Sequence, residues 1–301
     1  MDDIEALLKQ SSAGDFKSLA RIISLVENDS AESDSILRQL KINYNIPVIG
    51  FTGPPGAGKS SIVNSLLKKF SAEGKRVAVL AVDPTSPFNF GSLLGDRIRW
   101  SDHYSNKNIF MRSMATRGAL GGLSEKIIEV TDVLRSAPFD FIFIETVGVG
   151  QSEVEIAGLA DVTIVVLVPE SGDEIQTMKA GLMEIADIFV VNKCDRDGAD
   201  MFAKNVFELT HEKNNTEQIP VTVIKTSTTN GSGIDELITE IKSQAANPRQ
   251  KKNKLFLLKE KALKLLVNEK IKLIDQQKLL SDLSTESSKQ DFNLYEFVKK
   301  I

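Results

Sequence analysis

One cysteine, Cys194, is the whole thiol content of these 301 residues. No disulfide can form within the chain, and a reducing, cytoplasmic setting is the expectation. Two histidines, His103 and His211, stand unclustered, with no C-x-x-C pair and no His-rich tract. That argues against a metal-handling patch, and both are read as surface or loop residues without chemistry. No apolar run reaches about 18 residues, so no membrane span is expected. The N-terminus MDDIEALLKQ lacks the basic-then-apolar plan of a signal peptide. The formal net charge is only −4, which gives no broad attraction to nucleic acid or to an anionic membrane. No internal repeat and no long low-complexity segment interrupts the chain.

What is present is an alternation. Residues 1–45 read as a helical extension, with Leu7, Leu8, Leu19, Ile22, Ile23 and Leu25 at helix-like spacing and a break at Ser11–Gly14. Near-continuous apolar, β-rich runs then occupy 46–52, 76–82, 139–144, 161–168, 187–191 and 219–225. Such runs suit parallel strands covered on both faces. Helix-like stretches such as 60–74 and 124–137 lie between them. The pattern predicts a doubly wound α/β domain over 46–246. NPRQKKNK at 247–254 marks a boundary. A helical arm over 247–301 follows, with Leu258, Leu263, Leu266, Ile274 and Leu280 expected to be buried. Trp100 and the Phe-rich strand at 139–143 read as core.

The first chemical signal is GPPGAGKSS at 53–61, which fits G-x-x-x-x-G-K-[ST]. A strand enters it and a helix leaves it, as a phosphate cradle requires. Backbone N–H groups across Gly53, Gly56, Ala57, Gly58, Lys59, Ser60 and Ser61 can converge on phosphates, with a helix N-terminus behind them. Lys59 would reach the β- and γ-phosphates, and the Ser60 hydroxyl would bind Mg²⁺.

VVNKCD at 190–195 follows a later strand and matches N-K-x-D at Asn192, Lys193 and Asp195. A carboxylate can accept from both N1–H and the 2-amino group of guanine, and adenine offers no such donor pair. The Lys193 stem would lie along the base. KTSTTNGSGID at 225–235 stands where a loop reaches the guanine carbonyl, with Ser227 and Thr228 in place of the usual Ser-Ala step.

FIETVGVGQ at 143–151 occupies the D-x-x-G position, with Glu145 in place of Asp. Glu145 can hold Mg²⁺ directly or through water, and the Gly148 N–H can turn toward a γ-phosphate. The neighbouring residue is Val149 rather than a water-orienting Gln, and Gln151 stands two residues on. Basal hydrolysis is therefore expected well below about 10 s⁻¹. Two further stretches read as phosphate-side loops. VDPTSPFNFGSLLGDR at 82–97 carries Asp83 and Asp96, candidate Mg²⁺ ligands, and Arg97; RSMATRGALGG at 112–122 carries Arg112 and Arg117.

GPPGAGKSS, DPTSP, GSLLGDR, RSMATRGALGG, FIETVGVGQSE, VPESGDEIQTMKAGLMEIAD and NKCD, in this order, resemble the MeaB/ArgK-type GTPases from about residue 40 to about residue 240. The resemblance implies a three-layer P-loop NTPase with a mostly parallel sheet, of the dimeric signal-recognition-particle-like kind. N-terminal helices and a C-terminal dimerisation arm flank that domain. It implies GTP and GDP with Mg²⁺ as ligands, and hydrolysis served by Lys59, Glu145 and Gly148. Ser60, Asp83, Asp96 and Glu145 fall on the acidic and hydroxyl positions around the metal. It further implies a homodimer that chaperones an adenosylcobalamin-dependent acyl-CoA mutase, above all methylmalonyl-CoA mutase, by gating cofactor loading and protecting the enzyme. Residues 169–180 resemble the loop that senses the mutase, with Glu170, Asp173 and Glu174 as candidate contacts. A nickel-type metal-insertion GTPase and a GTP-bound scaffold are the alternative readings.

Overall fold

The computed structural model describes residues 2–83, 101–103, 105–115, 126–146, 156–171, 185–212, 221–246, 248–289 and 292–299. Among these, two compact units are found, 1–254 and 255–301.

The first unit is built on a seven-stranded, all-parallel sheet in the order β3-β2-β4-β1-β5-β6-β7. The strands are β1 (Val48–Thr52), β2 (Val77–Asp83), β3 (Ile109–Ala115), β4 (Phe141–Glu145), β5 (Val162–Leu167), β6 (Ile188–Val191) and β7 (Thr222–Lys225). Every residue of β1, β4, β5 and β6 is buried, as helices on both faces demand. The register is fixed along one margin by a repeated device. Asp140, Asp161 and Asp187 each precede a strand, and each carboxylate accepts a backbone N–H from the adjoining chain: Arg76 at 2.8 Å, Val48 at 2.8 Å and Thr163 at 2.7 Å. Asp161 also accepts from the buried Arg135 guanidinium at 2.7 Å.

Six of the seven strands coincide with the apolar runs. β3 does not: residues from 112 onward read as a phosphate-side loop, whereas Arg112 stands in the middle of this strand. β3 lies at the sheet edge, where polar side chains are tolerated because one flank lacks a neighbouring strand. The Arg112 guanidinium is engaged by the Glu27 carboxylate at 2.5 Å.

Glu27 ends α2 (Phe16–Glu27), which lies between α1 (Asp2–Ser12) and α3 (Ser33–Gln39). Asp15 caps α2 by accepting from Ser18 N at 2.8 Å, the preferred N-cap chemistry. The extension is tied to the sheet domain at several points. Lys126 bonds Asp29 at 2.7 Å, Arg76 donates to Gly14 O at 3.1 Å, and the Phe16 ring meets Phe110 and Phe139 at 5.4 and 6.0 Å. This explains why residues 1–45 fall within the same compact unit as the sheet.

α4 (Lys59–Ala72) buries Ile62, Val63, Leu66, Leu67 and Phe70 against the sheet, a spacing that gives one apolar face. It ends in a left-handed Gly74, with Lys75 N returning to Phe70 O at 2.9 Å; this satisfies carbonyls that the helix end leaves open. Phe70, Phe141, Phe143 and Phe51 form a chain of ring contacts at 4.7 to 5.8 Å beneath it. α5 (Ile127–Arg135), α6 (Ala199–Glu212) and α7 (Ile234–Ala246) complete the layers. Trp100 lies outside the described residues.

α8 (Pro248–Lys272) opens with a proline, which suits a first helical turn. The second unit continues through α9 (Gln276–Ser287), capped by Asp275, and α10 (Leu294–Val298), capped by Asn293. The arm corrects one expectation. Leu263, Leu266, Ile274 and Leu280 are 47, 60, 41 and 68% exposed in the single chain rather than buried.

Candidate functional site

Because all seven strands run in parallel, their C-terminal ends bring the signal stretches to one margin of the sheet, where open α/β sheets bind ligands. β1 occupies a central place between β4 and β5 and delivers the 53–58 loop to that margin. Gly53 and Gly58 are obligatory there. Both have positive φ, 131° and 89°. A Cβ on Gly53 would stand 2.1 Å from Val166 O, and one on Gly58 would stand 2.3 Å from Asn192 Nδ2. Gly56 has φ 77° and open space around it.

Lys59 is buried and donates from Nζ to Gly53 O at 2.7 Å and to Pro54 O at 2.9 Å. These loop carbonyls hold the ammonium directly over the cradle. Ser60, in the first turn of α4, donates from Oγ to Glu145 Oε1 at 2.5 Å. Glu145 is the buried last residue of β4, in register with Phe51 on β1 and Ala81 on β2. Thr146, next along, donates from its backbone N to Phe51 O at 3.0 Å, and its hydroxyl meets Thr52 Oγ1 at 3.2 Å. The margin beside the cradle is therefore fixed by hydrogen bonds from both chain segments.

Asp83 is the last residue of β2, aligned with Ala115 on β3. Asp96, Arg97, Arg117, Gly148, Val149, Gln151, Asp173 and Glu174 lie outside the described residues. Mg²⁺ is implied by this kind of site, and the donor chemistry fits: a serine hydroxyl and a carboxylate oxygen converge at a helix N-terminus, and hard divalent cations take such oxygens.

The N-K-x-D stretch leaves β6 at the same margin. Asn192 is 1% exposed and both polar atoms of its side chain have a partner. Nδ2 donates to Ala57 O at 2.9 Å, and Oδ1 accepts from Thr226 Oγ1 at 3.2 Å. One amide thus joins the phosphate loop to both base-side loops. Lys193 adopts a left-handed backbone, φ 58°, which turns the chain sharply. Cys194 N bonds Thr226 O at 3.0 Å, and Thr226 N bonds Val191 O at 2.8 Å.

This turn brings Asp195 to Ser227. The Ser227 hydroxyl holds the Asp195 carboxyl below the usual carboxylate range, with a backbone hydrogen bond adding to the effect. The same hydroxyl is buried and makes no contact at full hydrogen-bond geometry, so its influence is that of a nearby dipole. Asp195 itself is exposed, an ionised acceptor facing outward. Arg196 pairs with Glu170, and this contact holds the Glu170 carboxyl low.

His103, expected as a surface or loop residue, is buried. It is 4% exposed, in a single helical turn over Ser101–His103. His211 lies in α6. Among the described residues, no group of three or more His, Cys, Asp or Glu side chains is placed to hold a metal ion by itself.

A glycine-rich cradle behind a buried lysine, joined by one asparagine to an N-K-x-D turn, defines a P-loop domain of the guanine-nucleotide class. The chain belongs to the methylmalonyl Co-A mutase-associated GTPase MeaB family, whose model matches residues 19–280, and it is a GTPase. It is 48% identical over 249 residues to a GTPase of Pyrococcus horikoshii, covering 80% of this chain and 78% of that one. It is 38% identical over 193 residues to the mitochondrial methylmalonic aciduria type A homolog of Mus musculus, covering 63% of this chain and 46% of that one. A solved structure described as an LAO/AO transport system kinase superposes with a TM-score of 0.69 at 24% identity, covering 99% of this chain and 95% of that one. That likeness establishes the shared fold.

Proposed function

We propose that this GTPase binds GTP with Mg²⁺, hydrolyses it to GDP and phosphate, and serves as a chaperone of an adenosylcobalamin-dependent methylmalonyl-CoA mutase. In this reading its nucleotide cycle gates cofactor loading and protects the mutase. The observation that carries the nucleotide half is the Asn192 bridge, which makes the triphosphate cradle and the guanine turn one site. The partner half is supported by the family's description and by the name of the mouse relative.

Within the site, Lys59 turns from the loop carbonyls to the β- and γ-phosphates, and the amides of 53–61 hold the phosphate chain. Ser60 and Glu145, with Asp83 and Asp96, are the residues that would hold Mg²⁺, which would neutralise charge on the phosphate oxygens. Gly148, which lies outside the described residues, is the residue whose N–H would serve the γ-phosphate in this reading. Asp195 accepts from the guanine N1–H and 2-amino group, the Lys193 stem covers the base, and Ser227 and Thr228 border it.

The arm supports a homodimer as the working form. Leu263, Leu266, Val267 and Ile271 stand exposed at spacings of one helical stripe of α8, and a second copy would cover them. No helix among the described residues is long and apolar enough to cross a membrane. Cys194 is a free thiol, as a reducing cytoplasm would keep it.

A pull-down of the mutase under GDP and under a non-hydrolysable GTP analogue tests the partner reading. Capture that differs between the two nucleotides is expected. Capture that is equal in both, or absent from both, overturns it.

A further inference from the structure

A flank of α4, beside its apolar face, carries an unexplained row of polar contacts. Asn64 Oδ1 accepts from His103 Nε2 at 2.5 Å, Lys68 Nζ meets Asp102 at 3.4 Å, and Asn106 Nδ2 donates to Ser71 Oγ at 2.7 Å. Residues 64, 68 and 71 fall at i, i+4 and i+7, one stripe of the helix. Four residues before Asn64, on that same stripe, stands Ser60, whose hydroxyl bonds Glu145. The stretch from 101 to 108 is therefore stapled along the stripe that begins at the phosphate site.

We infer that the Asn64–His103 contact is a positioning device for GTP hydrolysis, holding the Ser60 end of α4 against the β4 terminus. Neither residue touches the nucleotide cradle, so both are positioning residues.

The stretch that holds the helix is itself anchored at its far end. Asn106 N bonds His103 O at 2.9 Å, Asn108 N bonds Asn106 Oδ1 at 2.9 Å, and Val77 N, at the start of β2, bonds Asn108 O at 2.8 Å. β3 begins at Ile109. The staple thus runs from the edge of the sheet to the flank of α4. The core side of α4 is fixed by apolar packing; the hydrogen bonds on its flank add directional constraints on rotation and depth. The three contacts differ in weight. Lys68 and Asp102 are both more than half exposed, and such pairs contribute little. His103 is buried, so its contact with Asn64 is the directional one that water cannot replace.

The test compares His103→Leu, His103→Gln and Asn64→Leu by single-turnover GTP hydrolysis, GTP affinity and melting temperature. His103→Leu and Asn64→Leu are expected to slow hydrolysis about tenfold, because small misplacements at a reacting centre are costly, with GTP affinity retained. His103→Gln keeps a donor for Asn64 Oδ1 and is expected to restore most of the rate. A His103→Leu protein that melts lower but hydrolyses at the parent rate overturns the proposal, as does a His103→Gln protein as slow as His103→Leu. Should His103→Leu fail to fold, Asn64→Ala removes the same contact from the helix side, at a half-buried helical position that tolerates alanine. It is expected to slow hydrolysis about tenfold, and parent-like turnover in that variant overturns the proposal. GTP binding by the parent chain checks the nucleotide site separately.

Discussion

Asn192 donates from Nδ2 to the carbonyl oxygen of Ala57 at 2.9 Å, and so a residue of the base-reading motif supports the phosphate loop. Its Oδ1 accepts from Thr226, so each polar atom of this buried side chain already has one partner within the scaffold. In the proposed reading the discriminating carboxylate is Asp195, three residues on, and Asn192 holds the scaffold from which it projects. The close approach of Gly58 to the same amide shows how tightly the loops are fitted.

Replacing Asn192 with Ala strands the Ala57 carbonyl and the Thr226 hydroxyl in a dry interior. The expected cost is about 1–3 kcal/mol of stability, the penalty of an unsatisfied buried polar group. GTP affinity should fall with it, because both loops lose their common support. Denaturant melts and nucleotide titrations on one preparation check this. A variant with parent-like affinity would mean that the loops hold their places without the bridge.

Arg135 and Asp161 make the second test. Arg135 is 2% exposed and donates to Asp161, which also accepts the Val48 N–H. Asp161→Ala takes the 2.7 Å partner from a buried guanidinium, leaving it the longer 4.0 Å contact to Asp132, and opens the β1 register, at an expected cost of about 3 kcal/mol. Changing Arg135 to Met together with Asp161→Ala should be milder than Asp161→Ala alone, since the uncompensated charge is then gone. Urea midpoints of the three proteins decide it, and additive losses would contradict the account.

His103 gives stability a pH dependence of definite sign. Burial lowers its pKa below 6.5, Lys68 adds to the effect, and Asp102 opposes it. The folded protein therefore favours the neutral ring. Its contribution is complete above the unfolded pKa and is lost as pH falls through the lower folded value. Urea midpoints taken from about pH 7.5 down to about pH 5 should decline more steeply for the parent than for His103→Gln. Parallel curves would show that the ring's protonation is not coupled to folding.

The sequence makes the sheet largely legible because central parallel strands are apolar without interruption. VIGFT, FIFIE and VTIVVL are buried at every residue. β3 escapes that pattern because Arg112 and Ser113 sit inside it, and an edge strand does not need the continuous apolar run. Lys59, Ser60, Glu145 and Asp195 are legible as chemistry, since each belongs to a short motif next to a strand. The bridging role of Asn192 is not, because Ala57 and Thr226 are remote from it in the chain and only folding brings them together. The burial of His103 is hidden for the same reason: nothing near it in sequence announces Asn64. The arm's leucines misled in the opposite direction. Helical spacing reveals that a face will be covered, but not whether the same chain covers it.

The most direct test of the central claim, that one joined site reads guanine and grips its triphosphate, is calorimetric titration of the full chain with GTP and with ATP in the presence of Mg²⁺. A site that matches donors on the base with a fixed carboxylate should prefer GTP by at least about a hundredfold. ATP bound as tightly as GTP, or neither nucleotide bound, would contradict the account.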